Sequence, residues 1–541
     1  MLTYLTNSAS SVRVPPGATA ETVASSPTAP IRLYAWTFVV FCVAAIAGVW
    51  RRAGDFYAAT LDTDESVYIV IARRWLEGDL PYVAVYDLHP IGLPALIAGA
   101  TWLLGDGLLA ARITAVFAVA GTCAGLYFAG ARFVVSRSVG FVAAILYGVY
   151  MLRPEAMVSN TELYNNLFIT LAACLLFGQV HRISTARKIW PSHALMAAFL
   201  LGAGLQIKYV VFPEAAGFCL AFLAYWAWHK QRVRSVLGLA AGMVLAGLTP
   251  TLTAVLYFWS QGAIQEFLDA NIGSNMAYVA AVPPLEEVLY RIYVGLKPLA
   301  VLIGGTALLA AALRGQLRSM TAGTQPLMYA CMLWAALSTV NIVLPMKFFG
   351  HYFLALLPPF CLMAAVLITS ALKHTRLVLK QPLSPGYRVL GLALAVTIFA
   401  APPLRAIALH IAAPATSLLQ ATELATACIR EHSASQPGLY VFNWDPILYE
   451  TASVAPPTRY VLPAELAEFG HSARVDPSAE ISRILATRPG HIVVASESHL
   501  PFRPEHIAMV QRAIRSYNLV CSVPMRVSKD EAGYALVYRL P

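Results

Sequence analysis

The sequence predicts an all-α polytopic membrane bundle of about eleven spanning helices, with a small α/β domain outside the membrane at its C-terminal end. Three features lead there: the composition, a succession of apolar runs, and a late fall in hydropathy. Of the 541 residues, 58% are hydrophobic and 12% charged, against roughly 25% charged in an ordinary soluble domain. The net charge of +10 does not point to nucleic acid, because Lys and Arg fall in short clusters between apolar runs instead of along one polar face.

Residues 1–30 are rich in Ser, Thr, Ala and Pro and lack the basic start and apolar core of a cleaved signal peptide, so they read as a disordered cytoplasmic tail. A span needs about 20 largely apolar residues. Candidates run over Leu33–Trp50, Gly107–Ala131, Val139–Leu152, Leu163–Val180, His193–Ile207 and Val210–Trp228. They continue over Val236–Trp259, Val288–Leu313, Pro326–Leu344, Tyr352–Leu372 and Tyr387–Ala401. Ile91–Leu104 is also apolar but short and broken by Gly92, Pro94 and Gly99, which suits an interfacial or re-entrant helix. Loop charge decides between the alternatives. If Ile91–Leu104 does not span and the N-terminus is cytoplasmic, the basic loops Arg132–Arg137, His181–Lys188, His229–Arg234, Arg314–Arg318 and Lys373–Lys380 all face the cytoplasm, as the positive-inside rule requires. Arg51 and Arg52 are the main dissent from this orientation, since they fall on the far side.

The chain thus divides into the tail 1–30, a transmembrane domain 31–413 with a large first outer loop 51–90, and an outer domain 414–541. In the last, apolar pieces at Gly438–Phe442, His491–Ala495 and Ala535–Arg539 flank helix-like stretches Ser478–Ala486 and Pro504–Tyr517, the mark of a small α/β domain. Six of the eight cysteines (Cys42, Cys123, Cys174, Cys219, Cys331 and Cys361) lie in apolar runs, where they pack. Cys428 and Cys521 lie outside the apolar runs, and a bridge between them is left open.

The outer loops hold most of the unusual polar residues. Leu61-Asp62-Thr63-Asp64-Glu65 opens an amphipathic stretch that runs to about Leu76. Asp62 or Thr63 can cap it, with Glu65 completing a capping box. A cap accounts for one or two carboxylates, whereas three crowd into four positions beside an apolar bundle, where acids are costly unless paired or used. Asp87 and His89 follow just before Pro90, which can simply start the interfacial helix. The second outer loop ends in Ser159-Asn160-Thr161-Glu162. There Ser159 or Asn160 can cap the next helix, and Glu162 suits its dipole. Lys208, Lys347 and His351 are the cations at the same level, either snorkelling or binding. Carboxylates and cations together suit a substrate with a phosphate and a reacting hydroxyl.

These motifs, in this order, resemble the GT-C membrane glycosyltransferases. The likeness is to the branch that holds protein O-mannosyltransferases, lipid A aminoarabinose transferases and related lipopolysaccharide glycosyltransferases of the bacterial cell envelope. The pieces are Asp64-Glu65-Ser66-Val67-Tyr68, Gly78-Asp79-Leu80-Pro81-Tyr82, His89-Pro90, Glu162, and His351-Tyr352 with Pro358-Pro359, across most of Leu33–Leu372. Gly438–Tyr449 and Pro456–Tyr460 look like part of the external domain of bacterial members. The resemblance implies a polyprenyl-phosphate sugar donor and a lipid, glycan or protein acceptor. It further implies inverting transfer on the periplasmic face of the inner membrane. Catalytic positions would be Asp64, as base, with Glu65 and Glu162. Substrate-binding positions would be Asp87, His89, Tyr68, Tyr82, Lys208, Lys347 and His351. His89 stands where the family often has a lysine on the phosphate, and Glu162 where aspartate is common. Some family members use a divalent metal and others do not, and the acidic groups here leave both open.

Two further readings compete. A transporter or flippase of lipid-linked sugars would carry repeats and helices interrupted at the midplane, and the sequence shows no repeat. A glycan polymerase or ligase would carry one very long outer loop with arginines, and here the first loop is acidic. Asn443, Trp444 and Asp445 fit a turn better than a sugar site.

Overall fold

The computed structural model describes residues 28–53 and 63–541 apart from 154–155, 157, 230, 318–323, 379–384, 413–417, 433, 468–469, 498–499, 501 and 527–531. The predicted tail up to residue 27, and Asp62, lie outside the described residues.

Every predicted span coincides with a helix. Nine are long and apolar enough to cross a membrane among the described residues, from Ile31–Trp50 to Gly386–Ala408. The two others, Arg137–Tyr150 and Pro191–Leu205, are shorter apolar helices. Burial sorts the helices by position: the best 18-residue window of Gly350–His374 is 83% buried and that of Ile31–Trp50 11%. Gly107–Phe133, Arg137–Tyr150 and Leu357–Val378 therefore form the centre of the bundle, and Val233–Ser260 belongs to its lipid-facing rim. Small residues set the closest approach: a Cβ on Gly130 would lie 2.6 Å from the Gly140 backbone nitrogen, the kind of contact that packs helices where no hydrophobic force acts between them.

The stretch expected to be interfacial is a short helix, Gly92–Leu104. Its beginning is tied to the loop before Tyr209, where the Gly92 N–H donates to the Gln206 carbonyl at 2.7 Å. Just beyond its end, Gly107 lies so near Glu450 of the C-terminal unit that a Cβ there would stand 3.1 Å from its carboxylate. Both ends sit on one face of the bundle, so this helix does not cross. A side chain at Gly92 would run into the Gln206 carbonyl, which is why glycine opens it.

The C-terminal unit holds a four-stranded sheet, β1 (Leu439–Val441), β2 (His491–Ala495), β3 (Asn518–Arg526) and β4 (Ala532–Arg539), in the order β1-β2-β4-β3. The pair β1–β2 is parallel, and β4 runs antiparallel to both its neighbours. Strand β3 had no predicted counterpart; its polar and apolar residues do not alternate cleanly, and its pairing with β4 carries a register shift at Leu519/Cys521. Cys428 and Cys521 form a disulfide. Asn443 spans to β2, accepting from the Ala495 N–H and donating to its carbonyl, while Asp445 accepts from the Ile447 N–H, so this segment is a turn.

The helix Thr63–Leu76 joins bundle and C-terminal unit. It is buried on both sides, not on one: Tyr68, Ile69 and Ala72 belong to the bundle core, and Val67, Val70 and Ile71 to the core under the sheet. Its N-terminus, with Asp64, is thereby fixed at the seam.

Candidate functional site

A cavity of about 400 Å³ opens at that seam. Its walls come from several loops on one face: Asp64 and Tyr68 from the start of the helix Thr63–Leu76, Asp87 and His89 from the following loop, Lys208 from the loop before Tyr209, His351 and Tyr352 from a later one, and Glu465 from the C-terminal unit. The bundle brings together residues nearly 300 positions apart because each loop joins helix ends on the same face.

Asp64 is half-buried and faces this cavity. One residue further on, about 100° round the helix, Glu65 is fully buried and turned into the bundle. Its carboxylate accepts from the Arg112 guanidinium at 2.7 Å and from the Ser159 N–H at 2.9 Å. Two adjacent acids that look equivalent in sequence thus have different surroundings.

His89 is held by Asp87, whose Oδ1 accepts from the His89 backbone N–H at 3.1 Å and lies 2.9 Å from the ring Nδ1. That pairing leaves Nε2 for a ligand. The Tyr68 ring meets the imidazole edge-on at 5.7 Å. Tyr82 stands behind, its hydroxyl donating to the His89 carbonyl at 2.9 Å. Burial alone would lower the His89 pKa, but the Asp87 charge and hydrogen bond, with Asp64 beyond, outweigh it and raise the pKa above the ordinary value, against the charge of Lys208.

Lys208 projects between two compartments. Its Nζ donates to Glu162 at 2.7 Å and lies 3.8 Å above the Tyr352 ring. Both it and Glu162 are buried, so the pair is matched in charge where water does not screen it. Glu162 is therefore one layer below the cavity and reaches it through Lys208. Asn160 occupies the N-cap position of Thr161–Ser184 without a side-chain cap bond, and Ser159 donates instead to the Ala111 carbonyl. Lys347 donates to the Ala281 carbonyl and lies 4.5 Å over the Tyr278 ring, beside the cavity.

Glu465 was not singled out from the sequence. It lies in the short turn Pro463–Leu466, where no motif marks it, and only docking of the C-terminal unit brings it to the cavity.

Among the described residues, the ligand atoms gathered closely enough for a metal are those of Cys428, His432 and Cys521. The two cysteines are joined to each other, which removes their thiolates as ligands. The cavity carboxylates are spread over its walls and do not form such a group.

No protein-family model and no curated protein matches the chain. Solved structures do. ArnT from Cupriavidus metallidurans bound to undecaprenyl phosphate is similar with a TM-score of 0.59 at 14% identity, over 95% of this chain and 98% of that one. The same enzyme in its apo state gives 0.54 at 14% identity, over 94% and 97%. The Archaeoglobus fulgidus oligosaccharyltransferase AglB, in complex with an inhibitory peptide and a dolichol-phosphate, gives 0.50 at 12% identity, over 92% and 74%. The fold is that of the GT-C membrane glycosyltransferases. Within this GT-C fold, the cavity lies between the membrane bundle and the C-terminal unit, and the chain is a multi-pass membrane protein.

Proposed function

We propose that this chain is a glycosyltransferase that moves a hexosyl or pentosyl group from a polyprenyl-phosphate donor to a lipid, glycan or protein acceptor, with inversion. The observation that carries the reading is one cavity in which the Asp64 carboxylate shares the walls with His89, Lys208 and His351. The solved neighbours bound to undecaprenyl phosphate and to a dolichol-phosphate lend it further support.

In this reading Asp64 takes the proton of the acceptor hydroxyl. The freed oxygen attacks the sugar C1 from the face opposite the phosphate, and the bond from C1 to the phosphate oxygen breaks with its electron pair going to the leaving polyprenyl phosphate. Lys208, His351 and protonated His89 stabilise that charge, Tyr68 and Tyr82 hold the His89 loop, and Glu162 fixes Lys208. Glu65 serves Asp64 by anchoring the same helix turn, and Lys347 flanks the site. The cavity opens on the periplasmic side of a bacterial inner membrane. The basic loops that alternate with the cavity-building ones support this orientation, as does the Cys428–Cys521 disulfide, which suits an oxidising compartment.

The test uses membranes carrying the wild type or Asp64→Asn, supplied with radiolabelled polyprenyl-phosphate sugars, with label counted in lipid, polysaccharide and protein fractions. Transfer by the wild type and its fall by about two to four orders of magnitude in the variant are expected. Equal transfer by both would remove Asp64 as the base. Tracer crossing sealed vesicles without transfer would favour a transporter.

A further inference from the structure

The C-terminal unit does more than cover the cavity. Its approach is fixed by the loop that carries Asp87: the Tyr86 N–H donates to the Arg459 carbonyl at 2.8 Å, and the Tyr86 ring packs on Tyr460 with centroids 5.4 Å apart. That docking sets Glu465 into the cavity wall.

Glu465 is only 4% exposed, and its Oε2 has no hydrogen-bond partner among the described residues. Asp87, in the same cavity, is 7% exposed and its Oδ2 is likewise buried without one. Buried polar atoms nearly always have partners, and an orphan costs the desolvation of the group. Both residues line the one cavity, and a ligand seated there, to which these carboxyl groups turn, supplies the missing bonds. The pair is also differentiated. Burial, then the charges of Asp87 and Asp64, push the Glu465 pKa well above the carboxylate range, against a hydrogen bond with the Leu462 backbone and the charge of Arg459. Asp87 is tied to His89 through Oδ1, so its Oδ2 is an acceptor. Two carboxyl groups with unpartnered oxygens on the walls of a cavity of about 400 Å³ match neighbouring hydroxyls of a sugar, which both give and take hydrogen bonds.

We propose that Glu465, together with Asp87, binds hydroxyls of the transferred sugar, so that the C-terminal unit supplies a specificity-determining residue to a site whose other acidic and basic residues come from the membrane domain. The proposal rests on the sugar-transfer reading above. It gives Glu465 no part in bond making or breaking.

The test measures initial rates with full-length wild type, Glu465→Ala, Glu465→Gln and Glu465→Leu against a panel of radiolabelled polyprenyl-phosphate hexoses and pentoses. Elution as a single species on size exclusion in detergent checks the fold. Expected are a donor KM raised about tenfold or more in the Ala and Leu variants, with kcat less affected, and a flattened preference among the sugars of the panel. Glu465→Gln, which still donates and accepts, keeps most of the wild-type preference. Should Glu465→Ala not fold, the contrast between Gln and Leu decides. Wild-type KM values and wild-type sugar preference in a folded Ala or Leu variant would overturn the proposal while leaving the transferase reading intact. No transfer by the wild type from any donor of the panel would instead overturn the transferase reading, and this proposal with it.

Discussion

Lys208 donates to Glu162 at 2.7 Å and lies 3.8 Å over the Tyr352 ring while still lining the outer cavity. An ammonium has three N–H donors, and Glu162 takes one of them. Glu162 therefore holds the ammonium at the cavity wall and leaves N–H donors over for a ligand. Lys208→Gln is expected to raise the donor KM by roughly ten- to a hundredfold, the worth of a charge-assisted hydrogen bond. It also leaves Glu162 buried and unmatched. The double variant Lys208→Gln/Glu162→Gln should consequently be more heat-stable than Lys208→Gln alone while remaining equally slow. A double variant no more stable than the single would show that the pair is not coupled in this way.

Glu65 and Arg112 are expected to matter for folding more than for chemistry. Their pair is 2.7 Å long with side chains 0% and 2% exposed, and removing one partner from such a pair costs about 3–5 kcal/mol. Glu65→Gln should lower the thermal midpoint sharply in detergent, and Glu65→Leu/Arg112→Met should recover part of the loss. The activity per folded molecule should fall far less than in Asp64→Asn, since Glu65 only anchors the turn that carries the base. A stable Glu65→Gln protein with abolished transfer would instead give Glu65 a direct part in the reaction.

Which parts of this were legible in the sequence follows from how each is encoded. The spans were legible because solvation by lipid demands long apolar runs, and the failure of Ile91–Leu104 to cross was legible from the charge of loops far from it. Asp64, Asp87 and His89 stood out as polar residues that turn chemistry did not exhaust. Glu65 could not be separated from Asp64, because the difference lies in Arg112, 47 positions away. Glu465 gave no signal, since its place in the cavity depends on how the sheet unit docks through Tyr86 and Arg459. The pattern seen along Thr63–Leu76 suggested one apolar face, whereas the helix is covered on both sides, the second cover being the C-terminal unit itself.

The Cys428–Cys521 disulfide closes a loop of sequence separation 93 between the helix Leu418–Glu431 and β3. A loop of that size is worth about 4–5 kcal/mol in the chain-entropy account. Non-reducing peptide mapping of protein from an oxidising compartment should recover the two cysteines linked, with the other six alkylated. Cys428→Ser/Cys521→Ser should make the C-terminal unit more sensitive to limited proteolysis. Recovery of both thiols free in fully active protein would contradict the oxidised-side orientation.

His89 sets the expected pH dependence of donor binding. Its pKa in the folded protein lies above the ordinary histidine value, because Asp87 and Asp64 outweigh the effect of burial. For a group whose folded pKa is raised, the protonated form is favoured by the fold. Its contribution is fully present below the ordinary histidine range and is lost as pH climbs through the raised value. A protonated His89 attracts the donor phosphate and a neutral one does not. The donor KM should therefore be flat on the acid side of that value and increase above it. Asp87→Asn removes the partner that does most to raise the pKa, so the same increase should begin at lower pH. Measuring donor KM against pH for wild type, Asp87→Asn and His89→Lys tests the assignment, since a lysine keeps its charge through this range and should flatten the profile. If His89→Lys retained the wild-type pH profile, another group would be responsible for it.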